Sequence, residues 1–80
     1  MNNSMEIKVG DRVTFDTDKV EQFKAETSSS DKAVQDYRQL VLAGADQIGV
    51  VKEVGYAMAT VIYSDGWELP VPLKYLIVLL

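Results

Sequence analysis

The sequence predicts a mainly β domain, a small barrel of five short strands with a helical insertion in its first long loop. Two observations support this fold class. In residues 6–16 and 47–80, short segments that are apolar or that alternate between polar and apolar residues are separated by glycine and aspartate. This pattern is typical of short strands joined by tight turns. Residues 17–44 instead show helical spacing, with no proline and a single glycine at the end. We therefore predict one domain over residues 1–80, with the insertion at about residues 17–44.

The first strand is predicted around "EIKVGDRVTF". Polar and apolar residues alternate there, and after the Gly10-Asp11 break Val13 and Phe15 share one face. The strand ends at Asp16 and Asp18. Two nearby carboxylates could act as acid and base or bind a cation, but their spacing beside Thr17 fits a strand end and a helix cap better.

The insertion is predicted to hold two helices. Thr17 or Asp18 caps a short first helix that has Val20 and Phe23 on its apolar side. The second helix covers residues 31–43, with Ser30 as its N-cap, and it ends at Gly44.

The remaining strands follow without long loops. Pro70 is compatible only with a strand edge, a strand end or a bulge. Asp65-Gly66 predicts a hairpin with a type I′ turn. The segments are the strands 48–54, 57–63, 68–71 and 77–80, with one helical turn at 72–76.

The chain closes on four consecutive apolar residues, Ile77 to Leu80. In a small barrel the last strand returns to pair with the first, so we expect this segment to lie against residues 8–13. Both of its sides are apolar. One side would face the core, and the other would be covered by the helix or by a second copy of the chain.

Composition excludes several classes of function. The chain has 80 residues with no cysteine and no histidine, so an ordinary zinc site is not expected, and we predict neither a metal nor another cofactor. Twelve acidic and eight basic residues give a net charge of −4, which disfavours nonspecific phosphate binding. Residues 1–6 lack a signal-peptide pattern, and no apolar run approaches the length of a membrane span. We predict a cytoplasmic protein without membrane association.

Several motifs resemble the SH3-like barrel of the bacterial KOW/Tudor-like type. The matching stretches are "VGDRV" at 9–13, "IGVV" at 48–51, "ATV" at 59–61, "SDG" at 64–66, and Val71-Pro72 with Leu76. Together they cover a little over half of the chain, and the helical insertion departs from the pattern. This resemblance is informative about the fold and much less so about function, because unrelated activities share the barrel.

The function that we predict is that of a non-catalytic interaction or accessory module that binds a protein partner. Small orphan barrels are frequent in phages and mobile elements in the families that the chain resembles, so the resemblance implies an origin of that kind. The alternative that the resemblance implies is a KOW-like nucleic-acid-binding module. Its phosphate contacts would come from Arg12, Lys52 and Lys74.

Five aromatic residues are the candidates for partner binding: Tyr37, Tyr56, Tyr63, Trp67 and Tyr75. Pro72 and Tyr75 are similar to the Pro-x-x-Tyr turn of signalling SH3 domains. Trp67, however, follows the Asp65-Gly66 turn, whereas those domains carry their tryptophan after strand two. We therefore do not expect recognition of proline-rich ligands, and we interpret Tyr75 and Trp67 as residues at the edge of the core.

We predict that the protein is not an enzyme. Plasmid-type dihydrofolate reductase has a barrel of this size and carries a Val-Gln-Ile-Tyr motif. The nearest stretch here is Thr60-Val61-Ile62-Tyr63, with valine in place of the glutamine that binds substrate. No phosphate-binding glycine loop, cysteine nucleophile or serine triad is present either.

The apolar surface also raises the question of assembly. One thin core cannot bury all of the apolar side chains of this chain. The surplus would be Val78 and Leu80, or the helix stripe of Val34, Tyr37 and Val41. Two expectations follow, and the sequence does not separate them. Either the helix and the barrel cover each other, or the chain forms a homodimer.

Overall fold

A computed structural model describes residues 6–80 of the chain. It contains five strands, two α-helices and two short 3₁₀ turns. In chain order these are β1 (Arg12–Phe15), a 3₁₀ turn (Thr17–Lys19), α1 (Val20–Glu26), α2 (Lys32–Ala43), β2 (Ile48–Val54), β3 (Met58–Ile62), β4 (Glu68–Pro72), a 3₁₀ turn (Leu73–Tyr75) and β5 (Leu76–Leu79). The signal-peptide expectation concerned residues 1–6, of which residues 1–5 lie outside the described part, and the single-domain interpretation of residues 1–80 stays a prediction.

The strands form one antiparallel sheet in the order β4-β3-β2-β1-β5. The predicted pairing of the last strand with the first is confirmed, but the partner segment is Arg12–Phe15 and not residues 8–13, because the first strand begins only after the Gly10-Asp11 turn. Arg12 lies opposite Leu79, and Phe15 lies opposite Leu76. This arrangement of five antiparallel strands is consistent with an SH3-like fold.

Two parts of the predicted fold class need correction. The pairing leaves β4 and β5 as the two edges, so the sheet is not closed and the barrel is not confirmed. The chain is also mixed rather than mainly β, because helices and strands take about equal shares of it. The physical reason is the insertion, which is helical along most of its length and contributes Phe23 and Val41 to the core.

The core lies between the sheet and the two helices. Phe23 of α1 and Val41 of α2 are fully buried together with Val13, Val51 and Tyr75. The Tyr37 hydroxyl on α2 donates a hydrogen bond to the Pro70 carbonyl at 2.6 Å, which fixes the helix against edge strand β4. Of the helix stripe, Val41 lies in the core and Tyr37 packs against it, whereas Val34 is partly exposed.

The cap residues differ from the prediction by one or two positions. Asp31, not Ser30, is the N-cap of α2, and its carboxylate accepts the Ala33 N–H at 2.8 Å. Asp16, not Thr17 or Asp18, caps the first 3₁₀ turn and accepts the Asp18 N–H at 3.1 Å. In both places an aspartate reaches the amide two residues ahead, which is a strongly preferred cap interaction.

The hairpin between β3 and β4 has a turn other than the predicted type I′. Type I′ needs positive φ at both central residues, but within residues 6–80 only Gly10 and Gly66 have positive φ. The Gly66 N–H donates to the Tyr63 carbonyl at 2.9 Å, and the Tyr63 N–H donates to the Trp67 carbonyl at 2.8 Å. This is a three-residue loop with glycine in the left-handed position. Pro70 lies on an edge strand, as predicted.

The longest helix of the described part, α2, has 12 residues. Within residues 6–80 no helix combines the length and the apolar character that crossing a bilayer requires.

Candidate functional site

A groove of about 620 Å³ opens where the helices meet the β2–β3 turn and the second 3₁₀ turn. We call it the aromatic groove. The lining residues that matter for its chemistry are Glu26, Tyr37, Tyr56, Met58, Leu73 and Tyr75. Helix α1 supplies the carboxylate, α2 supplies Tyr37, β3 supplies Met58, and the two turns supply the rest. The groove therefore exists only once the insertion has packed on the sheet.

Three aromatic rings, those of Phe23, Tyr37 and Tyr75, form the floor of the aromatic groove, and the buried ring of Phe15 supports them from the core. Tyr75 stacks on Phe15 with ring centroids 5.3 Å apart. Phe23 meets both rings edge-on, at 5.4 Å from Tyr75 and 5.5 Å from Phe15. Tyr37 adds a further edge contact with Phe23 at 6.3 Å. These are the favoured geometries for aromatic pairs, and they fix the floor as a rigid apolar surface.

The polar groups beside the floor satisfy one another. The Tyr75 hydroxyl donates to Glu26, and the Lys74 ammonium lies 2.9 Å from the same carboxylate. The hydrogen bond from Tyr75, followed by that from Lys74, lowers the pKa of Glu26 from 4.5 to about 2. Burial, together with the Glu26 carboxylate, raises the pKa of Tyr75 to about 12. At neutral pH the pair is therefore a carboxylate and a neutral phenol.

The rim of the aromatic groove carries exposed apolar side chains. Tyr56 is fully exposed and Met58 is more than one-third exposed. The β2–β3 turn, which carries Tyr56 and leads into Met58 of β3, is held by two hydrogen bonds. The Gly55 N–H donates to the Met58 carbonyl at 2.7 Å, and the Leu73 N–H donates to the Ala57 carbonyl at 2.9 Å. An exposed aromatic on an ordered turn beside an apolar groove is suited to anchoring a partner's apolar side chain.

The structure brings three of the five aromatic candidates together. Tyr37, Tyr56 and Tyr75 line the aromatic groove. Tyr63 and Trp67 line a separate cavity of about 110 Å³ beside Gly44. Tyr63 is buried, and that burial raises its pKa. Tyr75 is also buried, so of the two residues that we assigned to the edge of the core, Tyr75 lies inside it and Trp67 is half-exposed.

The three cations of the nucleic-acid alternative do not form one basic face. Lys74 pairs with Glu26 in the aromatic groove at 2.9 Å, and Lys52 pairs with Glu68 across the sheet at 3.0 Å. Arg12 is exposed on β1. Two of the three charges are therefore already neutralised by carboxylates. Nucleic-acid binding stays a prediction without support from the geometry.

The residues relevant to catalysis are placed as follows. Val61, at the glutamine position of the reductase motif, is fully buried in the core. Asp16 is engaged as a cap. Among the carboxylates of residues 6–80, no group of three or more comes together as a metal site would require. The predictions of no enzyme activity, no metal and no cofactor remain predictions.

Sequence reasoning missed Glu26, Met58 and Leu73 as residues of the site. Met58 and Leu73 are far apart in sequence and meet because the Leu73 N–H bonds to Ala57. The only local signal was for Leu73, which lies inside the Pro72–Leu76 helical turn. Glu26 carries no signal at all, since its role depends on Tyr75, which lies 49 positions further along the chain.

Comparisons of this chain with protein-family models, with curated proteins and with solved structures found no match. The geometry of the site is therefore the basis for assigning a function.

Proposed function

We propose that this protein is a non-catalytic interaction module that binds a protein partner through the aromatic groove. The observation that carries the proposal is the combination of a rigid aromatic floor with an exposed apolar rim at Tyr56 and Met58. Apolar pockets with an aromatic anchor at the rim are common sites of strong contact between proteins.

The chemistry of the groove supports binding rather than catalysis. Its charged groups, Glu26 and Lys74, are paired with each other, and the Tyr37 and Tyr75 hydroxyls already donate hydrogen bonds. Each of these four groups therefore already has an interaction partner inside the protein. The groove offers apolar contact area instead, and the partner group that fits it is an aliphatic or aromatic side chain.

We further propose that the scaffold is an SH3-like barrel of the KOW/Tudor-like type in which the insertion has replaced the closing contact. The antiparallel order of five strands and the 3₁₀ turn before β5 support this relationship. The open edges and the helical insertion are departures from it. A phage or mobile-element origin and a cytoplasmic location remain part of this proposal.

Capture of partners from a lysate of the source cell tests the proposed function. We expect the immobilised protein to retain a partner protein after nuclease treatment, and the Met58→Lys variant to lose it. The matched control is Val50→Lys, which places the same charge at an exposed strand position outside the aromatic groove. A loss of tenfold or more in retained partner corresponds to about 1.4 kcal/mol.

Two results would contradict the proposal. Nuclease could release everything that the protein captures, which would favour the nucleic-acid alternative. Alternatively, Met58→Lys and Val50→Lys could retain equal amounts of the partner, which would place the binding surface outside the aromatic groove.

A further inference from the structure

The two edges of the sheet are protected to very different degrees. Edge strand β4 contains Pro70 and Pro72, and the Tyr37 hydroxyl already occupies the Pro70 carbonyl. Edge strand β5 reads Leu-Ile-Val-Leu, without a proline, a charge or a bulge. Natural sheets normally protect exposed edges with such devices, because an open row of N–H and C=O groups pairs readily with another strand. In the part of the chain that the structure describes, β5 has no strand on its outer side.

The register defines which backbone groups of β5 point outward. The Asp16 N–H donates to the Tyr75 carbonyl at 2.7 Å, and Thr14 lies opposite Ile77 in the same ladder. Hydrogen-bonded pairs alternate along antiparallel strands, so Ile77 and Leu79 bond to β1. Val78 therefore directs its N–H and C=O away from the sheet. No backbone group within residues 6–80 bonds to Val78 on that side.

The side chains of β5 alternate between the core and the outer face of the sheet. Val78 and Leu76 pack against the core, whereas Ile77 is 40% exposed on the outer face. Ile48 of β2 lies on the same face, because Ile48 and Ile77 flank Thr14 of β1 in register. Ile48 is 54% exposed. A strand added to β5 would extend this apolar outer face as well as the hydrogen-bond ladder.

We propose that the open edge of β5 pairs with β5 of a second copy of this chain, antiparallel, about a two-fold axis through Val78. The Val78 N–H of each copy then donates to the Val78 carbonyl of the other. Ile77 of one copy lies opposite Leu79 of the other, which is a favourable apolar cross-strand pair. A two-fold interface uses the same groups from both copies and closes after two subunits.

The sequence of β5 favours a second copy as the occupant, because its apolar residues lie on both sides of Val78 and therefore complement themselves about a two-fold axis. The chain carries a net charge of −4, so most contacts between two copies would bring like charges together. Strand β5 is an edge without any charged residue, and self-pairing there adds apolar contact without that repulsion. Together with the unprotected edge, this makes β5 the place where two copies meet at least electrostatic cost.

The mass in solution, measured by sedimentation equilibrium, tests the proposal. We expect the wild-type protein to reach twice the monomer mass as its concentration rises, and Ile77→Lys to remain a monomer. The matched control is Ile48→Lys, which introduces the same charge on the same face but on central strand β2. It is expected to dimerise like the wild type. Circular dichroism shows whether both variants are folded.

A second measurement needs no variant. Exchange of the Val78 amide should be fast in dilute protein and become slow as the dimer forms, while the Ile77 amide, bonded to β1, stays slow throughout. The proposal would be overturned if the wild-type protein remains a monomer, or if the exchange rate of the Val78 amide does not depend on protein concentration.

Two other occupants of this surface give distinct results, and each overturns the proposal. If two copies dock face to face through the outer side of the sheet, Ile48→Lys abolishes the dimer as well. If residues 1–5 of the same chain pair with β5, the full chain is a monomer and a variant that begins at Glu6 becomes a dimer.

Discussion

Glu26 shows how a single residue obtains its chemistry from distant neighbours. It is the last residue of α1, and its carboxylate receives the Tyr75 hydroxyl and the Lys74 ammonium from the turn before β5. These contacts join the insertion to the end of the sheet and lower the pKa of Glu26 to about 2. The carboxylate therefore favours the folded state only while it is ionised.

This linkage gives a pH dependence with a definite sign. The contribution of Glu26 to the free energy of unfolding is fully present above pH 4.5, the ordinary value, and is lost as the pH falls toward about 2. Between pH 4.5 and about 2 the wild-type protein should therefore lose free energy of unfolding, and the Glu26→Gln variant should lose less over the same range. Urea unfolding at several pH values measures both. In Tyr75→Phe, the carboxyl pKa from an NMR titration should move back toward its ordinary value.

The control for this experiment is Glu21→Gln. Glu21 is on the same helix, but its side chain is 87% exposed and meets only Lys24. Its removal should leave the acid dependence nearly unchanged. Parallel curves for wild type and Glu26→Gln between pH 4.5 and 2 would mean that the Tyr75 contact does not persist in solution.

Gly49 is a second residue whose role the local sequence hides. The sequence shows only a glycine at the start of β2. In the fold, a Cβ at this position would lie 2.3 Å from the Val61 side chain and 3.0 Å from the Ile62 carbonyl. Glycine is required because strand β3 passes too close for a side chain, and only the pairing of β2 with β3 reveals this.

At the scale of single elements, the helix starts are determined by which side chain can reach a free amide. In α2 the candidates Ser30 and Asp31 are adjacent, and both are good cap residues by type. Asp31 takes the role because its backbone is extended and its carboxylate reaches the Ala33 N–H at 2.8 Å. The negative charge also interacts favourably with the helix dipole.

This difference between neighbours can be measured directly. Asp31→Ala should lower the free energy of unfolding by about 1 kcal/mol, because one amide of the first turn loses its acceptor. Ser30→Ala serves as the control and should change stability by less than about 0.5 kcal/mol, as exposed substitutions generally do. Urea unfolding monitored by circular dichroism measures both values. Equal effects at the two positions would contradict the cap assignment.

At the scale of the whole molecule, the insertion and the sheet share one core. Phe23 of α1 contacts the rings of Phe15, Tyr37 and Tyr75, which come from three other elements. Its side chain is only 1% exposed. A chain of 80 residues is expected to have a free energy of unfolding of about 4–12 kcal/mol. The contacts of Phe23 therefore contribute a large fraction of that free energy.

We therefore expect Phe23→Ala to remove about 3–5 kcal/mol and to leave the protein close to unfolding. The helical signal by circular dichroism and the fluorescence of Trp67 on the β3–β4 hairpin should be lost in one transition. Phe23→Leu, which keeps most of the apolar volume, is the control and should lose less. A helical signal that disappears while Trp67 fluorescence stays native would show that the insertion is separate from the sheet.

Local pattern placed most elements of this protein, although β1 begins at Arg12 and not near residue 6. Alternation and helical spacing placed the helix at 31–43 and the strands at 48–54 and 77–80 within a residue or two of their bounds, because these signals are carried by neighbouring residues. The apolar end of the chain also predicted its pairing with β1, since few other positions in so small a domain could hide it.

Only the tertiary structure decided how these elements combine. The hydrogen bond from Tyr37 to Pro70, for example, joins α2 to edge strand β4 across 33 positions of the chain, and the strand pairing leaves the sheet open. The aromatic groove has the same origin, because Glu26, Met58 and Tyr75 meet through contacts that no local pattern encodes. The sequence by itself determined the strands, the helices and the return of the chain end, whereas the open sheet and the groove followed from packing, which acts between residues distant in sequence.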